Sequence, residues 1–465
     1  MIYGISLNKN NRGTLCAELI KILREKILKG DIKNGEKLPS SRVLSSELGV
    51  ARNTVVEAFE QLIAEGYLET RSGSGTYVKV ISNLSLYRSE ETSTENERVK
   101  AEFPKGTIVF DTGTPDNTLF PTDVWGATLK RVCQAAPARV FGYADKSGIR
   151  ELKEALCRYL YRSRGVAAAP KNLFVVSGTS GGLSLIADVF SSGGRKIAVE
   201  NPCMDFVTGI FSVRGYVIYP VPVDREGMIS TRLSSVCEQP PSLIYTVPSH
   251  QFPTGAVLSA SRRLELLEYA TKKSAYIIED DYDSEYNYCI KPIQSLYSLE
   301  RQRTIYVGTF SKIFSPAIRL GYIIVPDALI ARFEKTAEQM NIGTDALTQL
   351  AMAEIIDRRL LDRHIYKMKK VYAAKRKLII ECVQKSFGSH AEILGENAGL
   401  HLLVCLDKEI SQENILKSGV YAESADYYSS EGSQYKNTII LGYGNLNDFQ
   451  IETGVERLSK ALGYN

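Results

Sequence analysis

The chain has no C-x-x-C pair, and its eight cysteines (Cys16, Cys133, Cys157, Cys203, Cys237, Cys289, Cys382 and Cys405) are scattered without histidine clusters beside them. A structural zinc site needs grouped thiolate and imidazole ligands, and a disulfide framework needs a dense set of cysteines in a short chain. Neither is expected, no metal site is assigned, and a reduced compartment is. No apolar run approaches the roughly 18 residues of a bilayer-crossing helix. The opening MIYGISLNKNNRG shows no apolar core behind a basic start, so a cytoplasmic location is expected. Net charge is small, +4 over 465 residues, and by itself names no polyanionic partner. What is present is ordinary globular material, 44% hydrophobic and 24% charged, in a chain long enough for two or three domains.

From Thr14 to Gly30, Leu15, Leu19, Ile22, Leu23 and Ile27 recur at helical spacing. Asn34-Gly35 turns the chain, and Leu38-Pro39-Ser40-Ser41 reads as a capped start for a helix over Ser41–Leu48, stopped by Gly49. A further helix opens at Val50-Ala51-Arg52-Asn53-Thr54, carries Val55, Phe59, Leu62 and Ile63 on one face, and closes at Gly66. Helix, glycine turn, helix is the arrangement whose second helix enters the DNA major groove N-terminus first, with Arg52, Asn53 and Thr54 at the entering end. Tyr67–Arg71, Ser72-Gly73-Ser74-Gly75 and Thr76-Tyr77-Val78 then read as a hairpin whose tip can lie against a phosphate backbone or minor groove. Residues 1–80 hold 12 Lys and Arg against 9 Asp and Glu, so the pattern carries this reading more than the charge does. A helical protein-contact domain is the alternative.

Residues 81–106 are polar, rich in Ser, Thr and Glu, and short of periodic apolar positions, as a flexible tether would be. From 107 to 465 helical and strand patterns alternate, which predicts an α/β domain with a largely parallel sheet wrapped by helices. Phe174–Val176 is a buried strand running into Ser177-Gly178-Thr179-Ser180-Gly181-Gly182 and a helix, a turn able to cup an anion with backbone N–H groups. Lys196–Glu200, Val217–Pro220, Leu243–Val247 and Ala275–Glu279 are further strands. The third leads into Pro248-Ser249-His250-Gln251-Phe252-Pro253-Thr254-Gly255, and the last into Asp280-Asp281-Tyr282-Asp283.

The chemistry concentrates in Arg303–Pro326, RTIYVGTFSKIFSPAIRLGYIIVP. Between two apolar runs sit Gly308, Thr309, Ser311, Lys312 and Arg319. Desolvation favours the free amine of a lysine held between buried strands, and a free amine condenses with an aldehyde. Short hydroxyl donors and a planar guanidinium suit a phosphate. Together they fit pyridoxal 5'-phosphate, and beside such a site a strand-end carboxylate can face the pyridine nitrogen while a phenol bonds the ring oxygen. His250 is open between a turn residue and a cofactor contact. The loops fall at the C-terminal ends of successive strands, where open α/β sheets bind ligands.

Two resemblances follow. LPSSRVLSSELGVARNTVVEAFEQLIAEGYLETRSGSGTYV resembles the GntR-type winged helix-turn-helix over residues 12–80, which implies that Ser40, Arg42, Arg52, Asn53, Thr54, Arg71 and Gly75 lie at or near double-stranded operator DNA. Residues 107–465 resemble a fold-type I aminotransferase, and the two halves together resemble the MocR subgroup of GntR regulators. By that resemblance Lys312 would carry the cofactor covalently and be the catalytic residue, and Asp280 would pair with the pyridine nitrogen. Tyr282 would bond the ring hydroxyl, while Gly178, Thr179, Ser180, Thr309, Ser311 and Arg319 would hold the phosphate. Tyr143-Ala-Asp-Lys-Ser-Gly148 matches the segment that reaches a neighbouring subunit's phosphate, implying a homodimer with shared sites. Departures cluster where a substrate carboxylate would be clamped: Pro202 is followed by Cys203-Met204-Asp205-Phe206, and Ile440 precedes Leu441-Gly442-Tyr443 where relatives place an arginine. Arg139 and Arg162 are the substitutes to consider. The expected function is a transcription regulator sensing pyridoxal phosphate or a small-molecule effector that condenses with it; the alternative is a working aminotransferase with an accessory DNA-binding domain.

Overall fold

Leu19, Leu23 and Ile27 face inward from a helix over Leu15–Lys29 (α1), and the side chains they meet come from the next two helices: Leu44 on Ser41–Leu48 (α2), and Val55, Ala58, Phe59 and Leu62 on Arg52–Ala64 (α3). Strands Leu68–Arg71 (β1) and Gly75–Val78 (β2) pair antiparallel and close this core with Leu68 and Val78. In this computed structural model the described residues are 2–5, 7, 15–79, 103–143, 145–288, 293–430 and 435–464, and the chain divides into two compact units, Met1–Glu102 and Phe103–Asn465. The tether expected over 81–106 lies, up to residue 102, outside the described residues.

The larger unit opens with a short strand, Ile108–Val109 (β3), then helices Thr122–Ala135 (α4) and Arg150–Arg164 (α5). Its main sheet has eight strands: Leu173–Val176 (β4), Lys196–Asn201 (β5), Val217–Asp224 (β6), Gly227–Met228 (β7), Leu243–Thr246 (β8), Tyr276–Asp281 (β9), Thr304–Thr309 (β10) and Gly321–Ile324 (β11). They are ordered β4-β11-β10-β9-β8-β5-β6-β7. Neighbouring residues of one strand serve opposite cores, as a period of two requires. Ile305 and Val307 enter one cluster with Phe174, Val176 and Ile323, while Tyr306 enters the other with Val175, Tyr322 and Ile324. Both faces are therefore covered, which is why these strands read as unbroken apolar runs.

The sheet is largely parallel, and β7 and β11 are the reversed strands. The link from Thr309 to Gly321 is short of the dozen or more residues that a parallel crossover needs, so β11 returns antiparallel beside β10. This reversal brings the end of β10, the start of β11 and the end of β4 to one edge. Ahead of helix Gly178–Val189 (α6), that edge carries the loops that matter below. A second antiparallel sheet follows near the C-terminus: Ala391–Leu394 (β12), His401–Leu406 (β13), Glu423–Ser424 (β15) and Thr438–Gly442 (β16), with Glu423 opposite Ile440. Between them in the chain, Val420–Tyr421 (β14) pairs parallel with β3. No helix of the described residues is long and apolar enough to cross a membrane.

Candidate functional site

In the smaller unit Ser40 caps α2, its hydroxyl accepting from Val43 N–H at 3.4 Å, and Gly49 ends the helix in the left-handed region at φ 63°. That turn sets the start of α3, where Arg52 and Asn53 are exposed and Thr54 is half-buried. Ala51, the N-cap, offers no side-chain oxygen, so the first N–H groups of α3 get no side-chain cap from it. Arg52 donates to Ser41 Oγ at 3.4 Å, and exposed Arg42 lies on the preceding helix. On the hairpin, Arg71 bonds Glu69 at 2.8 Å and stacks 4.3 Å over the Tyr77 ring; Gly75, at φ 123°, lies beside the Lys37 side chain.

In the larger unit the sheet edge opens into a cavity of about 330 Å³ lined in part by Thr112, Gly113, Thr179, Ser180, Tyr282, Thr309, Ser311, Lys312 and Arg319. Lys312 follows β10 directly and donates through Nζ to the Gly113 carbonyl, from a segment some two hundred residues earlier. Burial lowers its pKa, opposed by the charges of Asp111, Asp283 and Asp280. A lysine so placed gives up its proton more readily than one in water.

Asp280, at the end of β9, is buried. Its Oδ2 accepts from the Tyr245 hydroxyl at 2.8 Å, and its Oδ1 has no hydrogen-bond partner among the described residues. Burial lifts its carboxyl to about 7, with the Tyr245 hydrogen bond pulling the other way. A buried acceptor left without a donor costs free energy, and a protonated ring nitrogen supplies that donor together with the opposite charge. Tyr282 reaches the cavity wall with its hydroxyl 3.3 Å from His250 Nδ1. His250 is fully enclosed: Nδ1 contacts Asp283 Oδ2 at 2.8 Å and Nε2 is unpartnered among the described residues. Burial works against its charged form, but Asp283 outweighs it and the pKa rises. His401, ring centroid 5.0 Å away, is pushed down to about 3 by burial and by His250, so the two rings do not carry charge together.

The phosphate-sized end is built from backbone as much as side chains. Gly178 takes φ 79° at the start of α6, and a Cβ there would meet the Arg319 guanidinium at 3.6 Å. Gly321 sits so near Gly178 that any side chain would collide with its backbone. Arg319, itself left-handed at φ 50°, donates to the Ser177 carbonyl at 3.0 Å. Thr309 Oγ1 donates to Ser311 Oγ at 3.0 Å and accepts from the Ser311 N–H. Hydroxyls, helix N-terminus and guanidinium converge here, Lys312 lies beside them, and Asp280 supplies an unmatched acceptor. These residues fit pyridoxal phosphate.

The structure thus brings Thr179, Ser180, Tyr282, Thr309, Ser311, Lys312 and Arg319 together in the cavity lining, with Gly178 against Arg319; Asp280 is not among the lining residues. His250 is not among the lining residues; it lies behind Tyr282. Tyr143 is 98% exposed and outside the cavity of its own chain. The lining also contains residues the sequence did not single out for binding: Met204, Asp205, Phe252 and Tyr428, beside the already noted Phe206. Ile440 packs behind it with Phe252, Leu403 and Ala425. Arg139 bonds Glu151 and Arg162 bonds Asp362, and neither lines the cavity. Tyr428 had a weak signal, lying in an aromatic pair with Tyr427; Asp205 and Phe252 had none beyond their motifs.

Comparison with known proteins places both halves. Residues 106–455 match the family Aminotransferase class I and II, and residues 15–78 match Bacterial regulatory proteins, gntR family. The chain is similar to the uncharacterized HTH-type transcriptional regulator YdeL of Bacillus subtilis (strain 168), 31% identical with 98% of each chain covered. It is 30% identical to the probable rhizopine catabolism regulatory protein MocR of Rhizobium meliloti, over 96% of this chain and 93% of that one. Among solved structures, an archaeal alanine:glyoxylate aminotransferase superposes with a TM-score of 0.71 at 27% identity, covering 76% of this chain and 90% of the other.

Proposed function

For a chain that belongs to the class I and II aminotransferase family and, through its whole-length similarity to MocR, to the GntR-type regulators, we propose the function of a pyridoxal-phosphate-dependent, DNA-binding transcription regulator. The observation that carries it is the pairing, on one chain, of an exposed helix-turn-helix face with a cavity lined by Lys312, whose pKa burial lowers, and by the hydroxyls of Thr309 and Ser311 and the Arg319 guanidinium. Residues 12–80 are the DNA module and 107–465 the effector module. The location is cytoplasmic.

When bound, pyridoxal phosphate supplies an aldehyde that condenses with an amine and a ring that withdraws electrons. This chain's residues do the rest. Lys312 would offer the amine, its Nζ pKa lowered by burial against the charges of Asp111, Asp283 and Asp280. Asp280 would hold the ring-nitrogen proton, with Tyr245 fixing the carboxylate through one oxygen. Tyr282 would supply a hydroxyl to the ring oxygen, with the His250–Asp283 pair beside it. Thr179, Ser180, Thr309, Ser311 and Arg319 would donate to the phosphate, and Gly178 would let the backbone approach. Occupancy of this site, by the cofactor alone or with an amine-bearing ligand, is the signal. In the smaller unit Arg42, Arg52, Asn53 and Thr54 read operator bases while Ser40, Arg71 and Gly75 meet the backbone.

The working state is a homodimer. The exposure of Tyr143 supports this, because an aromatic left fully in solvent within a Tyr-x-x-x-x-Gly segment is placed to serve a neighbour's phosphate. The deciding experiment is operator binding with and without pyridoxal phosphate, by footprinting upstream of the protein's own and neighbouring genes. Equal footprints in both conditions, and equal footprints for Lys312→Ala, would remove the regulatory role of the cofactor.

A further inference from the structure

Resting on the reading that pyridoxal phosphate occupies the Lys312 end of the cavity, we propose that the ligand admitted beside it is a short aliphatic diamine, its far ammonium held by the wall of Asp205, Phe206, Phe252 and Tyr428. Among the described residues lining the cavity the cations are Lys312 and Arg319, and both belong to the cofactor end: one on the Gly113 carbonyl, the other on the Ser177 carbonyl. The rest of the lining offers aromatic rings and the Asp205 carboxylate instead. Phe252 and Tyr428 pack edge to face with centroids 4.9 Å apart, and Tyr427 adds a third ring 5.1 Å from Tyr428. Tyr427 donates to Asp205 at 3.2 Å, and Tyr428 donates to Glu423 behind it. Each hydroxyl hydrogen is thus turned onto a carboxylate.

Aromatic faces joined to carboxylates attract an ammonium and repel a carboxylate. A ligand carboxylate entering here would lose its water and find no cation on this wall, a costly burial. The position behind is closed to one as well, because Ile440, Leu403 and Ala425 fill it with apolar side chains. Burial, with Asp111 and Asp205 nearby, keeps the pKa of Glu423 raised, so negative charge is already crowded in this corner and an ammonium relieves it. The cavity of about 330 Å³ must also admit the cofactor, which confines the ligand to a few carbons.

The test titrates full-length, cofactor-loaded protein with 1,4-diaminobutane, butylamine and 4-aminobutanoate by calorimetry and by the change in cofactor absorbance. Cofactor content is measured for every sample, and binding to an operator fragment is scored separately. The expected result is at least tenfold tighter binding of the diamine than of either other probe, with Asp205→Asn and Phe206→Ala each cutting that preference severalfold at equal cofactor content. Phe206 is partly exposed, so its truncation keeps the test open if the Asp205 variant folds poorly. Protein that loads cofactor and binds DNA yet prefers 4-aminobutanoate, or treats diamine and butylamine alike, overturns the diamine inference alone. Protein that takes up no cofactor overturns both this inference and the reading beneath it.

Discussion

Asp280→Asn should trade stability against function, with a sign that depends on pH. The carboxyl is raised from 3.8 to about 7 in the folded chain, mainly by burial. Between those values the folded state holds one proton more than the unfolded state, so stability falls by about 1.4 kcal/mol for each pH unit climbed and levels off above 7. Relative to a neutral amide, the cost of this one group grows from about 2 kcal/mol at pH 5 to about 4 kcal/mol at pH 8. Asparagine keeps the shape and can retain the Tyr245 hydrogen bond, but it has no proton to lose. Cofactor-free Asp280→Asn should therefore gain over wild type as pH rises. With roughly 2 cal/mol/K of unfolding entropy per residue, the gain between pH 5 and pH 8 corresponds to about 3–4 °C in the midpoint of the larger unit. The same change removes the charge proposed to face the ring nitrogen and should weaken pyridoxal phosphate binding by at least a hundredfold. The assay is thermal denaturation at both pH values, with cofactor affinity from quenching of protein fluorescence. A midpoint difference independent of pH would show that the carboxyl is not destabilised in the fold. Undiminished affinity would show that it does not face the cofactor.

Four further outcomes are expected. Lys312→Ala should abolish the borohydride-trappable attachment of the cofactor, read as a mass increment on the intact chain, while wild type takes up a full equivalent. Arg42→Ala and Arg52→Ala should each weaken specific operator binding by about 1–3 kcal/mol. Arg71→Ala should lower affinity evenly across sequences and flatten the salt dependence, the effect being small because Arg71 already shares its charge with Glu69. Tyr143→Phe should loosen the cofactor; mixing Tyr143→Phe with Lys312→Ala chains should restore one normal site per heterodimer, and the absence of any recovery by absorbance titration would refute a shared site.

Local chemistry determined much of this protein directly from sequence. Apolar residues at helical spacing and the glycine after Leu48 specify the helix-turn-helix, because capping and left-handed termination act within a few residues. The Lys312 stretch was equally legible, since two apolar strands flanking a lysine imply desolvation wherever they pack. The reversed β11 was settled by the short link from Thr309, a length the sequence displays but whose consequence appears only once both strands share a sheet. Other features exist nowhere in the linear chain. The Gly113 carbonyl meets Lys312, Tyr245 takes one oxygen of Asp280 and leaves the other bare, and His250 is claimed by Asp283 behind the cavity instead of lining it. Asp205, Phe206, Phe252 and Tyr428 come to one cavity from three distant segments of the chain. Which of their side chains meet depends on strand order and on the apolar packing of Ile440 behind them. Strand pattern reports that a residue lies in a buried sheet; the register and order of the neighbours, fixed by long-range pairing, decide what it faces.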